Sequence, residues 1–228
     1  MFKIRRKIAE APEPILEKLS PAGRSLVNTM RYPTHQQKAY SASKYPAGYH
    51  TLEVDGVTIS GQRNPTERLK NVPYDWSDKR VLDVGCNAGG MLFELLKADI
   101  KSGVGVDYDP LLINSANKRK SYIRDNKLNF YQFDVDKYEK SYLEDLIGEP
   151  TDITLLLSVC MWIKNWKQLI DWCAISSDYI LFESNGSKRQ QHEQITYVEK
   201  CYSRVQMCAE QSLDDPGQRR RQLFLASK

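Results

Sequence analysis

Three carboxylates and one turn of small residues carry the chemistry that this sequence can do. In VLDVGCNAGG, residues 81–90, an aliphatic run ends on Asp83 and breaks into a loop that holds Gly85, Asn87 and Gly89. The two glycines let the backbone approach a ligand, and a helix beginning near Gly90 would aim its free N–H groups at the same place. Asp107 lies 22 residues beyond Gly85, at the tip of GVGVD, where a carboxylate can accept hydrogen bonds from both hydroxyls of a ribose. Asp134 closes a third apolar run, FYQFD. Acids at three successive strand tips describe a crevice for a nucleoside.

Asp83 bears on which nucleoside. A dinucleotide fingerprint, G-x-G-x-x-G, would have to fall on Gly85, Asn87 and Gly90, and it lacks the second glycine that lets a pyrophosphate come close. Asp83 would repel a pyrophosphate and attract a cation, and Asp134 would have no task. Asparagine tolerates positive φ better than other side chains, so the turn still forms with Asn87 in it.

The elements that must position these acids follow from the patterning. From Lys79 onward, apolar strands alternate with helices: KRVLDVG, GVGVDYD, LNFYQFDV, DITLLLSVC and DYILFESN each precede a helical stretch. Continuous rather than alternating apolar runs indicate a parallel sheet covered on both faces. RVQMCAEQS and RQLFLAS, around the turn DDPGQ, have no helix between them and must pair as a hairpin, which puts one antiparallel strand at the sheet edge. Residues 1–78 form a separate lead-in. It reads as two short helices punctuated by prolines, a tyrosine-rich stretch, a hairpin turning at Asp55-Gly56, and a helix opened by Asn64, Pro65 and Glu67 in a capping pattern.

The turn Asp83-x-Gly85-x-Asn87-x-Gly89, the acids Asp107 and Asp134 and the terminal hairpin resemble the class I S-adenosylmethionine-dependent methyltransferases over residues 79–228. Asn87 departs from the family's second glycine. The resemblance implies an α/β fold with a seven-stranded Rossmann-like sheet, mostly parallel, with a C-terminal antiparallel hairpin. It implies S-adenosylmethionine as cofactor, bound by Asp83, Gly85, Cys86, Asn87 and Gly89 at its amino-acid end. Asp107 and Tyr108 would hold the ribose, Phe133 and Asp134 the adenine, and Ser158 and Val159 would line the reaction centre. The lead-in from Tyr49 is similar to the subgroup that includes tRNA wobble-uridine carboxymethyl-transfer enzymes, and to small capping methyltransferases of sugars and phosphates. That likeness implies that Gln62 and Arg63 reach toward the cofactor or acceptor; a surface position for Arg63 is the alternative.

For the acceptor the sequence offers polar groups at strand mouths. Glu183, in FESNG, is the first candidate for a general base and His50 the second. Arg63, Trp162 and Asn185 are candidate acceptor contacts, with Trp166 as a further stacking residue, while Cys160 reads as packing and His192 as surface. Neither N-P-P-Y nor D-P-P-Y occurs, and no pair of catalytic cysteines is present. No metal site is expected. Methyl transfer to an oxygen or nitrogen needs in-line positioning and the loss of one proton, for which one weak base suffices.

Three functions follow. O-methylation of a small-molecule or glycan hydroxyl is the first reading, an RNA (tRNA) methyltransferase the second and a non-catalytic cofactor-binding scaffold the third; the intact set of acids weighs against the last. Charge bears on the second. The 33 bases exceed the 29 acids by a net +4, but Lys3, Arg5, Arg6, Lys7, Lys18, Arg24, Arg31 and Lys38 crowd the first forty residues, and Arg219, Arg220 and Arg221 stand together near the other end. The five scattered cysteines read as reduced packing residues. No apolar run approaches the ~20 residues of a membrane span, and the first residues lack the apolar centre of a secretory signal, so a cytoplasmic enzyme is the expectation. The edge hairpin could pair with a second subunit, but nothing in the sequence demands it.

Overall fold

The computed structural model describes residues 13–31, 44–214 and 220–228. The basic residues before Glu13, Lys38, Arg219 and the turn Asp215-Pro216-Gly217 lie outside the described residues. A single seven-stranded sheet forms the body, in the order β5-β4-β3-β6-β7-β9-β8. Its strands are β3 (Arg80–Val84), β4 (Ser102–Asp107), β5 (Leu128–Gln132), β6 (Thr151–Leu157), β7 (Ser177–Glu183), β8 (Arg204–Ala209) and β9 (Leu223–Ser227). The first five are parallel, and α4 (Gly90–Leu95), α5 (Pro110–Ile123), α6 (Lys140–Ile147), α7 (Trp166–Ser176) and α8 (Lys188–Cys201) follow them in turn.

Each strand reads as apolar throughout because each face meets a core. Val81, Leu92, Leu95, Ile100, Phe130 and Leu155 fill one side; Leu82, Val84, Val106, Leu156, Ile170 and Phe182 fill the other. The chain runs from β3 outward to β4 and β5, then crosses back to place β6 on the other flank of β3. The loops after β3 and β6 therefore leave the sheet in opposite directions, and this reversal opens a crevice above their carboxyl ends.

The lead-in comprises α1 (Glu13–Leu16), α2 (Pro21–Arg31), the hairpin β1 (Leu52–Val54) and β2 (Val57–Ile59), and α3 (Pro65–Leu69). Leu26, Val27, Met30, Val54 and Ile59 pack with Leu112 of α5 and Ala88 of the glycine-rich turn in a third buried cluster. Asp55, in the left-handed region at the hairpin turn, accepts from the Ser20 backbone at 2.7 Å and from the Tyr122 hydroxyl. Residues 47–51 pair with 60–63, Thr51 donating to the Arg63 carbonyl and Arg63 to that of Tyr49, both at 2.8 Å.

Four local details differ from the sequence reading. The antiparallel strand is not the edge: β9 inserts between β7 and β8, because Leu223, Phe224, Leu225 and Ala226 are all buried whereas β8 is mostly exposed. β5 stops at Gln132, which leaves Asp134 in the following turn rather than on the strand. α4 gives way after Leu95 to a 3-10 turn over Leu96–Ala98. Asn64 caps α3 by accepting from Thr66, but Glu67 pairs with Lys70, and the reciprocal capping box forms instead between Ser187 and Gln190 at α8. Cys86, Cys160 and Cys173 are buried thiols, and all five cysteines are free. Among the described residues no helix is long and apolar enough to cross a membrane.

Ile59 is fully buried where the lead-in meets the sheet domain. Ile59→Ala is expected to lower unfolding free energy by about 2–5 kcal/mol in urea titrations. A loss below about 1 kcal/mol would mean that the lead-in is not part of the cooperative unit.

Candidate active site

Gly85, Asn87 and Gly89 all take positive φ (76°, 54° and 76°), which folds the turn after β3 back over the sheet. The Asn87 side chain accepts from the Ala88 backbone at 2.8 Å and supports its own left-handed residue. A Cβ on Gly85 would overlap Val159, so the glycine is what lets the loop after β6 close against this turn. Cys86 is buried beneath, its thiol pushed well up by burial and by Asp83 and Asp107, and so inert.

Asp107 and Asp83 are both buried, and they are treated oppositely. Asp107 Oδ2 accepts from the Asn87 backbone at 2.9 Å and Oδ1 from Asp109 at 3.0 Å. One lone pair on each oxygen remains for a further donor, the arrangement that suits a ribose diol. Burial raises its pKa, against those two bonds. Asp83 Oδ2 is buried with no hydrogen-bond partner among the described residues. Burial pushes Asp83 up to about 7, Arg68 pulling it down and Asp107 adding to the rise. An orphaned carboxylate oxygen at the head of a glycine turn fits an ammonium group, so these residues fit S-adenosylmethionine. Beyond β5, the Phe133 backbone donates to the Asp107 carbonyl at 2.9 Å, and Asp134, half-buried, accepts from the Asp136 backbone at 3.0 Å. Tyr108 beside them is 56% exposed.

At the end of β7, Glu183 belongs to a buried ionic cluster that the sequence did not reveal. Arg68 Nη2 lies 2.5 Å and Arg63 Nη2 3.5 Å from Glu183 Oε2; the same two guanidinium groups reach Asp214 at 3.6 and 3.3 Å. Ser212 accepts from Arg63 at 3.2 Å and donates to Asp214 at 2.9 Å. All four ionic side chains are nearly or wholly buried. Burial opposes the charge of Arg68, but Glu183 and Asp214 more than restore it and raise its pKa. Arg63 is therefore interior, not a surface residue. Arg68 and Asp214 were missed because their ionic partners lie 115 or more residues away; the one available signal was an arginine on the short helix that carries Arg63 at its entry.

Glu183 also governs the loop after β6. The Ser158 hydroxyl donates to its carboxylate and the Ser158 backbone to its carbonyl, while Ser158 is held at φ 59°. Asn185, fully buried, donates its amide to the Ser158 carbonyl and accepts from the Met161 backbone at 3.0 Å; Gln194 fixes Asn185 from below. Asn185 thus braces the loop. Val159 is held over Gly85, and Trp162 projects into solvent, 74% exposed.

His50 reaches the same region from the lead-in. Its ring lies where a Cβ on Gly90 would be, and Tyr49 stands edge-on at 4.6 Å. Burial first, then the charges of Arg68, Arg63 and Arg119, hold its pKa well below the usual value, so the imidazole is neutral. Its Nδ1 is buried with no hydrogen-bond partner among the described residues. Trp166 packs edge-on against Tyr197 away from the crevice, and His192 lines a separate groove beside α8.

Comparison with known proteins agrees with this geometry. A family model described as a methyltransferase domain matches residues 75–211. The U6 snRNA methylphosphate capping enzyme Amus of Drosophila melanogaster is 34% identical over 103 residues, covering 42% of this chain and 34% of that protein. The chain thus spans about a third of the length of this curated relative. Among solved structures, the N-terminal domain of EvdMO1 with SAH bound has a TM-score of 0.58 at 12% identity, covering 78% of this chain and 90% of that one. A precorrin-6y C5,15-methyltransferase from Geobacter metallireducens gives 0.55 at 11% identity, covering 78% and 95%. Such identities speak to the fold alone. The family match runs from the approach to β3, through the glycine turn and the acids, to the segment after β8, and the chain belongs to the methyltransferase domain family.

Proposed function

We propose that the enzyme methylates an oxygen of its acceptor, and that this oxygen belongs to an already anionic group, above all a phosphate. The observation that carries the reading is the commitment of Glu183, the acid at the mouth of β7, to two guanidinium groups and the Ser158 hydroxyl. A carboxylate so engaged anchors its neighbours and is a poor proton acceptor. An anionic oxygen needs no base, only in-line placement. The curated relative, named for methylphosphate capping of an RNA, supports the same class of acceptor.

On this reading the bound donor supplies a methyl group on a sulfonium, and the chain does the rest by positioning. Asp83 takes the ammonium, with the backbone from Gly85 through Cys86 and Asn87 to Gly89 around the amino-acid end. Asp107 takes the ribose hydroxyls with Tyr108 beside them, and Phe133 and Asp134 border the adenine. Ser158 and Val159, fixed by Glu183 and Asn185, form the wall next to the methyl. The described part of the lead-in acts as the cover, closing the acceptor side through Arg63 and His50. Trp162 offers an exposed ring on which an acceptor base or sugar could stack. A second reading keeps the hydroxyl of a small molecule or glycan as acceptor, with the neutral His50 as base; its buried Nδ1, without a partner among the described residues, favours it.

Asp107→Ala is expected to weaken S-adenosylhomocysteine binding roughly 100-fold or more, about 3 kcal/mol for two hydrogen bonds to a charged group, as read by calorimetry. Asp83 should make donor binding pH-dependent. Its folded pKa, near 7, stands above the usual carboxylate value, so the donor-free protein holds a proton that the unfolded chain loses. Stability should fall from about pH 4 to pH 7 and level off above. An ammonium beside Asp83 expels that proton, so affinity should rise with pH to about 7, with proton release at pH 6 visible as a buffer-dependent binding heat. Asp83→Asn should abolish both trends; a wild type that releases no proton at pH 6 would refute the assignment. Glu183→Gln should behave as loss of a buried anchor, costing about 3–5 kcal/mol of stability. Full stability with a slowed methyl transfer would restore Glu183 as the base.

A further inference from the structure

Beside α8 the structure has a groove of about 780 Å³, within the range of ligand sites. One face of α8 supplies Lys188, Gln191 and His192, and the stretch before β9 supplies Arg220 and Gln222. Its floor is fixed: the Ser184 hydroxyl bonds Gln191 at 3.1 Å, and Ser184 and Gln222 exchange backbone bonds to carbonyl and hydroxyl at 3.0 and 3.1 Å. Ser184 directly follows Glu183, so the groove begins where the ionic cluster ends. Among the described residues, Lys188 and Arg220 outweigh the single lining acid, Glu210, and α8 has no acid in its first turn.

Arg221 sits between the two. Arg220 and Gln222 line the groove, and Arg221 between them lies within electrostatic reach of Arg63, Glu183, Tyr49 and Arg68. It is half-buried, yet neither carboxylate of the cluster is within ion-pairing distance of it among the described residues. Among the described residues, Arg63 and Arg68 face Glu183 and Asp214, so the described part of this corner sets three guanidinium groups beside two carboxylates. Burial lowers the pKa of Arg221, and Arg63 adds to the fall. A partly desolvated guanidinium without a counter-ion seeks an anion, and its planar fork suits two oxygens of one group.

We infer that Arg221 binds a phosphate group of the acceptor at the mouth of β7 and that the groove lined by Lys188 and Arg220 takes the remainder of that molecule. The inference rests on the anionic-acceptor reading and adds the residue that recognises the anion. The phosphate could belong to an RNA end or to a small phosphorylated metabolite, and the test separates them.

With S-adenosylhomocysteine bound, a 5′-phosphorylated RNA decamer and a hexose phosphate are titrated by calorimetry, each beside its dephosphorylated form. At least one phosphorylated probe should bind tenfold or more tightly than its dephosphorylated partner, ~1.4 kcal/mol. Preference confined to the decamer marks an RNA end, and an equal preference with the hexose phosphate marks the small-molecule source. Arg221→Gln should erase the preference while S-adenosylhomocysteine affinity stays within about twofold. Should that variant fold poorly, Arg221→Lys should fold and retain part of it, and Lys188→Ala with Arg220→Ala should weaken the decamer more than the hexose phosphate. Equal binding of both forms of both probes, or a preference that survives in Arg221→Gln, overturns the inference. A phosphate preference without methylation of that phosphate would leave this site standing and overturn the acceptor reading instead.

Discussion

Two guanidinium groups sealed against two carboxylates are stable only as a complete set, since removing one partner leaves a charge without solvent. The four described members come from three distant places: Arg63 and Arg68 from the lead-in, Glu183 from the end of β7 and Asp214 from beyond β8. Their assembly therefore requires the lead-in to be docked and the C-terminal strands to be in place. The consequence reaches the crevice in three contacts. Glu183 holds the Ser158 hydroxyl, Ser158 is kept in a left-handed conformation that no glycine relieves, and the next residue, Val159, lies on Gly85. A left-handed serine costs on the order of 1 kcal/mol or more, and the three bonds from Glu183 and Asn185 are what sustain it. Folding of the lead-in and shaping of the donor loop are thus one event.

The two acids of the crevice show how the same residue type is set to two tasks. Asp107 is ringed by backbone N–H groups from the glycine turn and from the start of α5, so its geometry exists before any ligand arrives. Asp83 is denied such partners and carries an unsatisfied oxygen in the interior. Leaving a buried carboxylate oxygen bare costs free energy that the fold alone does not recover. A cationic ligand would recover it and a pyrophosphate would not, so an acid at this position is suited to separate the two more sharply than the glycines are.

Much of this was legible in the sequence because it is local. Five apolar strands, the Asp55-Gly56 hairpin, Asn64 as a cap, and the glycines with Asp83 and Asp107 all announce themselves within a few residues, and the structure realises each. Asp134 was displaced by two residues because an apolar run does not say where pairing stops. Glu183 read either as a base or as a carboxylate that caps a helix or pairs with a basic residue, and its own stretch of sequence does not name the arginines that claim it. Arg63 and Arg68 come 120 and 115 residues earlier, and only the closed sheet brings them together. His50 read as a lone histidine for the same reason: Gly90, which makes room for its ring, lies on another element.

The antiparallel strand explains where the basic C-terminal segment ends up. Had β8 and β9 followed in sequence order at the edge, β8 would have paired with β7 and run against it. Because β9 takes that place, β8 on its far side runs in the same direction as β7. The connection from Ala209 to Leu223 must then begin and end at the carboxyl end of the sheet, the end that holds Asp83, Asp107 and Glu183. One buried apolar strand, Leu223 to Ala226, thus draws Asp214 into the ionic cluster, Arg221 close to that cluster and Arg220 into the groove beside α8. The polar segment needs no packing of its own to arrive there; the hydrophobicity of its neighbour determines its address.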